Sequence, residues 1–160
     1  MGGPERKPTP SQVRSEIWMS IIHGSRGIIY FVHIFKPSFI EPGVLADPEM
    51  AKAIGAVNKQ ITELAPVLNS PTLKDVATVE TSSKEVPVDI LVKKAGGAVY
   101  VFAVAMRNTA TKGAFQVKSL PDKATAEVLG ENRKVEVTGG KFSDDFMGYA
   151  AHLYKITASK

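Results

Sequence analysis

The chain has 160 residues, of which 44% are hydrophobic and 22% charged, as in an ordinary globular protein of one medium or two small domains. It contains no cysteine, which excludes disulfide bonds, thiolate metal sites and cysteine nucleophiles. The net charge of +4 is not concentrated in one basic patch, so we expect no nucleic-acid partner.

Two further absences concern the membrane and the cellular compartment. No apolar run reaches the ~20 residues that a membrane helix needs, so we expect no membrane partner. Residues 1–10 lack the apolar segment of a signal peptide. The localisation is left open, because a full-length parent protein could be secreted.

The first predicted helix runs from about residue 10 to residue 23. Thr9 is a suitable N-cap, Pro10 suits the first helical position, and Gln12 completes a capping box. Gly24 suits a left-handed C-cap. The apolar stripe of this helix consists of Val13, Ile17, Trp18, Ile21 and Ile22.

A strand and a second helix are predicted next. Residues 27–35 form a nearly continuous apolar and aromatic run, which is typical of a strand buried on both faces in a parallel sheet. Asp47 and Pro48 then begin a helix that ends near Pro66. Its apolar face consists of Met50, Ile54, Val57, Ile61 and Leu64.

Beyond residue 73 the pattern changes to seven or eight short strands separated by turns. Gly139 and Gly140 predict a tight hairpin. The predicted fold class is therefore α+β. A disordered N-terminus (1–9) precedes a short helix–strand–helix segment (10–72), which is followed by an antiparallel β-sandwich domain (73–160) that we expect to fold autonomously.

Three stretches resemble a known family. Residues 10–71, particularly 16–31 with the turn His-Gly-Ser-Arg-Gly at 23–27, resemble the last helix–strand–helix of (β/α)8-barrel glycoside hydrolases, and residues 58–68 resemble their closing helix. Residues 86–156 look like the β-sandwich appended to those barrels, and residues 142–156 fit its last strand. The resemblance implies a barrel-like remnant from a protein that hydrolyses glycosidic bonds.

The family's catalytic residues cannot be carried over. Barrel glycosidases of this kind place their acid/base and nucleophile carboxylates after earlier strands, and a full barrel needs ~250 residues. We therefore interpret the chain as a C-terminal fragment or relic of a glycoside hydrolase-like protein, without its own carboxylate pair and inactive alone. The alternative is a non-catalytic carbohydrate-binding or structural β-sandwich, or an interaction protein.

Five residues at the end of the predicted strand and in its exit loop are the candidates for carbohydrate binding. Aromatic rings stack on sugar faces, and barrel active sites lie on this side of the strands. For His33 a buried structural role is the alternative, and for the aromatic residues it is core packing. The candidates are His33, Phe35, Lys36, Phe39 and Glu41.

The remaining polar residues predict no further site. The three histidines lack metal-ligand spacing and no nucleotide-binding motif is present, so we expect no metal and no cofactor. Asp144 and Asp145 are interpreted as a solvated turn, and His152 as a structural residue. Tyr30 and Phe31 are assigned to the core.

The predicted strand also bears on the oligomeric state. Two helices cannot supply backbone partners for a central strand, and an exposed apolar edge is a template for another chain. We therefore expect a homo-oligomer formed through residues 10–65.

Overall fold

The computed structural model describes residues 7–36 and 38–159. The disorder expected for residues 1–9 falls mainly outside this range. Two helices, α1 (Pro10–Ile22) and α2 (Pro48–Leu68), precede eight strands. The strands are β1 (Ala77–Thr81), β2 (Val88–Ala95), β3 (Ala98–Ala105), β4 (Thr111–Val117), β5 (Lys123–Val128), β6 (Arg133–Thr138), β7 (Lys141–Phe146) and β8 (Ala151–Ala158).

Both helices begin at the N-cap residues that the sequence predicted. Thr9 and Gln12 form the predicted capping box, with the Gln12 N–H donating to Thr9 Oγ1 at 3.3 Å and the Thr9 N–H donating to Gln12 Oε1 at 2.8 Å. Asp47 caps α2 by accepting from the Met50 N–H at 3.2 Å. Gly24, just beyond α1, has a φ of 99°.

The strand predicted for residues 27–35 does not form. The helices are joined by irregular chain whose isolated bridge links Ile34 to Ile40, and Ile29 is 99% exposed. A strand exists only when a neighbour takes its backbone hydrogen bonds. In the part of the chain that the structure describes, the eight later strands pair among themselves and none of them pairs with this segment.

The later strands form one antiparallel sheet that bends nearly into a barrel, and the α+β class is confirmed. The strand order is β1-β4-β7-β6-β5-β8-β3-β2. The terminal strands approach each other where the Leu73 N–H donates to the Val92 carbonyl at 2.9 Å. The predicted hairpin at Gly139 and Gly140 joins β6 to β7, and both glycines have positive φ.

The sheet is apolar on both faces. Its inner face encloses one core to which all eight strands contribute. Its outer face, on β3 and β8, is covered by α1 and α2, and the ring of Trp18 stacks on Phe102 with 5.7 Å between centroids. No helix among the described residues is long and apolar enough to cross a membrane.

Candidate functional site

The segment between the helices carries a cluster of aromatic rings, which we call the aromatic cluster: Phe31, His33, Phe35 and Phe39. His33 stacks on Phe39 with centroids 5.7 Å apart, and Phe31 stacks on Phe35 at 5.9 Å. Phe35 also contacts Phe39 at 5.7 Å. Side chains two residues apart lie on the same side of an extended chain, which brings positions 31, 33 and 35 together.

Backbone contacts hold the aromatic cluster in place. Ile34 and Ile40 exchange two backbone hydrogen bonds of 3.0 and 2.8 Å, which close a loop over residues 34–40. Gly43 packs directly under this loop. A Cβ atom at Gly43 would lie 2.5 Å from the Val32 carbonyl oxygen and 2.6 Å from Ile34 Cγ1, so only glycine allows this approach.

A cavity of about 560 Å³ lies beneath the aromatic cluster, between α1, the connecting segment and the start of α2. This volume falls within the range of small-molecule sites. His33 and Phe31 reach its wall from the aromatic cluster, and Ile17 and Met50 contribute apolar surface from the helices. The cavity therefore combines an apolar wall with one imidazole.

Two carboxylates, Glu16 and Asp47, line the same cavity, but Asp47 already has a structural role. It caps α2 and accepts a hydrogen bond from Lys7 Nζ. The bond from Lys7, followed by that from the Met50 N–H, lowers the pKa of Asp47. A carboxylate held in this way is unsuited to give a proton, so Asp47 is not arranged to act as the general acid of glycoside hydrolysis.

The structure brings together three of the five residues proposed from the sequence. His33, Phe35 and Phe39 are in ring contact, and His33 is half-buried. Lys36 and Glu41 are exposed on the same segment. Their role in binding stays a prediction.

Phe31 was assigned to the core, and that assignment was wrong. It is 76% exposed and belongs to the aromatic cluster. The alternate spacing of the aromatic residues was the signal that could have found it. The core assignment presupposed a buried strand, which requires neighbours that do not form.

A cluster of polar side chains on the barrel-like sheet was not predicted from the sequence. Arg133 donates from Nη1 and Nη2 to the two carboxylate oxygens of Asp144, at 3.0 and 2.8 Å, and from Nε to Glu131 at 2.8 Å. His152 Nδ1 lies 2.5 Å from Glu131 Oε1, and the Tyr154 hydroxyl donates to Asp144 at 2.8 Å.

The solvated turn expected at Asp144 is therefore wrong. Its position in β7 faces the same side as Phe142 and Phe146, and its side chain is 12% exposed. Burial acts to raise the pKa of Asp144, but the hydrogen bonds from Arg133 and Tyr154 outweigh it and the pKa is lowered. These groups satisfy one another, which indicates a structural cluster.

Metal binding finds no support at these sites. Among the described residues, no group of three or more His, Cys, Asp or Glu side chains is arranged to hold a metal ion. The chemistry that remains for the aromatic cluster and its cavity is stacking and apolar contact with a ligand.

Comparisons of sequence find no match, whereas comparisons of structure find chains with a similar fold. No family model and no curated protein sequence matches the chain. An α-amylase from Geobacillus thermoleovorans, crystallised with acarbose, matches 97% of this chain with a TM-score of 0.64 and 16% identity. AmyP E221Q in complex with maltotriose matches 99% of it with a TM-score of 0.61 and 11% identity.

These likenesses show the fold alone, because the identities are low. The chain spans 35% of the length of the α-amylase and 37% of that of AmyP. Both of these solved structures are glycoside hydrolases. The two helices and the barrel-like sheet of this chain therefore form an arrangement that is found within larger carbohydrate-acting enzymes.

Proposed function

We propose that this chain supplies the closing helices and the following β domain of an α-amylase-like glycoside hydrolase, and that it acts on carbohydrate as part of that larger assembly. The observation that carries the proposal is the match of almost the whole chain to about one third of two such proteins. The carboxylate pair would be supplied by the remainder of the enzyme.

The connecting segment supports this assignment. Ile29 is 99% exposed, and Phe31, Phe35 and Leu45 are each more than 60% exposed. Burial of such a side chain is worth ~1.5–3 kcal/mol, so leaving all of them in water is costly. Additional β/α units packed against the segment would cover these side chains, and would give residues 27–35 the strand neighbours that they lack here.

Two measurements test the proposal. The gene is read upstream of the codon for residue 1, where we expect further β/α units that include two carboxylates at strand ends. The isolated chain is then assayed on starch and aryl glycosides, where we expect rates no higher than buffer. Turnover by the isolated chain that is lost in Glu41→Gln would contradict the proposal and would make Glu41 catalytic.

A second candidate function is carbohydrate binding without catalysis, which the exposed aromatic cluster favours. Rings with one free face stack on the apolar faces of sugars. We expect Phe35→Ala to weaken maltotriose binding by about tenfold or more, measured by calorimetry. Met147→Ala removes an equally exposed apolar side chain outside the aromatic cluster and should leave binding unchanged. Equal affinities in both variants would exclude this function.

A further inference from the structure

A second cleft, of about 720 Å³, adjoins the aromatic cluster's cavity and shares Ser25, Gly27, Ile28 and Tyr30 of the connecting segment with it. It is bounded by the C-terminal ends of α1 and α2 and by strand β2. Its charged lining residues are Arg26 and Lys93, and no Asp or Glu is among its lining residues. The cleft is therefore cationic.

Lys93 is unusual because a lysine is rarely buried without a carboxylate. Only 6% of its surface is exposed, and its ammonium group donates to the Ser70 carbonyl at 2.7 Å. An ammonium has three donors. Among the described residues no carboxylate pairs with it, so further donors remain for a ligand in the cleft.

The two cations act on each other across the cleft. Burial lowers the pKa of Lys93, and the positive charge of Arg26 lowers it further. An anion bound between them would relieve both effects. The repulsion between the two cations therefore costs free energy, and a negatively charged ligand would offset that cost.

The C-terminal ends of α1 and α2 border the cleft and act against its positive charge. Carbonyl groups in the last turns carry partial negative charge, but several are already engaged by the chain. The Ser25 N–H donates to the Ser20 carbonyl at 2.9 Å, and the Asn69 N–H donates to the Ala65 carbonyl at 2.9 Å.

Neutral donors complete the cleft. Tyr30, Asn58 and Asn69 line it, and the Tyr30 hydroxyl donates to Asn58 Oδ1 at 2.6 Å. This bond occupies the amide oxygen of Asn58 and leaves its NH2 group, which has two donors, outside the bond. Such donors suit a ligand rich in oxygen acceptors.

We propose that this cleft binds an oxyanion, a phosphate, sulfate or carboxylate group, between Arg26 and Lys93, with room for an attached sugar-sized body. Arg26 supplies a planar pair of N–H donors, and Lys93 supplies a buried point charge. None of these residues belongs to the aromatic cluster, so the proposal does not rest on the function proposed above.

Calorimetry at low ionic strength tests the proposal with inorganic phosphate, glucuronate and glucose as probes. We expect phosphate and glucuronate to bind with dissociation constants in the millimolar range and glucose not to bind. Tighter binding of glucuronate would identify an acidic sugar, and equal binding a free oxyanion. Both results support the site. Absence of binding by both anions, or glucose binding equal to that of glucuronate, would overturn it.

Three variants localise the binding. Arg26→Gln changes an exposed side chain and should weaken phosphate binding by about tenfold, as should Lys93→Met. Lys94→Met removes the neighbouring exposed charge and should change the affinity less than twofold. A thermal melt confirms that each variant folds. If Lys93→Met does not fold, the affinity of Arg26→Gln decides the question. Unchanged affinity in Arg26→Gln would overturn the proposal.

Discussion

Trp18 is the largest side chain in the contact between the helices and the sheet. It is fully buried against Phe102, and its indole N–H has no hydrogen-bond partner among the described residues. Its contribution is therefore apolar packing, offset in part by the desolvated N–H.

We expect Trp18→Ala to lower the free energy of unfolding by about 3–5 kcal/mol, because it leaves a large cavity between α1 and β3. Trp18→Phe keeps the ring contact with Phe102 and removes the unpaired N–H, so its cost should be much smaller. Urea unfolding measures both variants. A similar loss in the two would show that the full size of the indole, and not the ring contact with Phe102 alone, is needed to fill the space.

Asp144 is a part-buried carboxylate through which acid pH acts on the fold. Its pKa lies below the ordinary 3.8, so its ionised form stabilises the folded state. That contribution is complete above about pH 4 and is lost as the pH falls through the lower folded-state pKa. The stability of the protein should therefore decrease in this acid range.

We expect Asp144→Asn to lower stability at about pH 7 and to reduce the further loss between about pH 4 and pH 2. Arg133 would then keep Glu131 as its remaining carboxylate partner. Asp145→Asn, at the exposed neighbouring position, is the control and should retain the wild-type profile. Urea midpoints across this pH range give the comparison, and an unaltered profile in Asp144→Asn would contradict the assignment.

At the scale of elements, the hairpin between β6 and β7 depends on two adjacent glycines with different surroundings. A Cβ atom at Gly140 would lie 2.2 Å from the Val117 carbonyl oxygen, whereas a Cβ atom at Gly139 would meet nothing within 4 Å. Both have positive φ, which costs other residues ~1–2 kcal/mol. A substitution at Gly139 would therefore meet backbone strain alone, whereas one at Gly140 would meet backbone strain and a steric clash.

We expect Gly139→Ala to cost about 1–2 kcal/mol from backbone conformation alone. Gly140→Ala should cost clearly more, because the backbone of β4 must also move. Chemical denaturation of the two variants measures the difference. Equal losses would show that the approach of Gly140 to Val117 relaxes without cost.

At the scale of the whole molecule, the exposed connecting segment is the surface through which we expect association. In the isolated chain nothing covers Ile29 and Phe31, and an apolar patch of this kind marks an interaction surface. The homo-oligomer expected through residues 10–65 stays a prediction, now based on an irregular apolar segment in place of a strand edge.

We expect the isolated chain to associate at micromolar concentrations, and Ile29→Lys with Phe31→Lys to make it monomeric. Met147→Lys adds the same charge at an exposed apolar position on the β domain and should not change association. Sedimentation velocity over a dilution series distinguishes the forms. A wild-type monomer at every concentration would disprove the expectation.

The division into segments 10–72 and 73–160 also stays a prediction. Tyr100, Phe102 and Leu153 on the outer face of the sheet are buried by the helices, so an isolated β domain would expose them. A fragment of residues 74–160 that unfolds cooperatively would support the division. Binding of a hydrophobic dye by that fragment would measure the cover that the helices provide.

Local signals in the sequence determined the elements with local causes. The capping box at Thr9 and Gln12, the N-cap at Asp47 and the hairpin at Gly139 and Gly140 were all predicted, because each depends on residues a few positions apart. The resemblance to glycoside hydrolases agrees at the level of the fold with the solved structures that match the chain, whereas its origin in a barrel stays a prediction.

The tertiary structure alone decided what depends on distant partners. Residues 27–35 have the composition of a buried strand, but a strand requires neighbours, and the described strands pair elsewhere. Asp144 was predicted to be solvated, yet Arg133, eleven positions away, and Tyr154 enclose it. Arg26 and Lys93 share a cleft only because α1, α2 and β2 converge there, and no spacing along the chain contains that information.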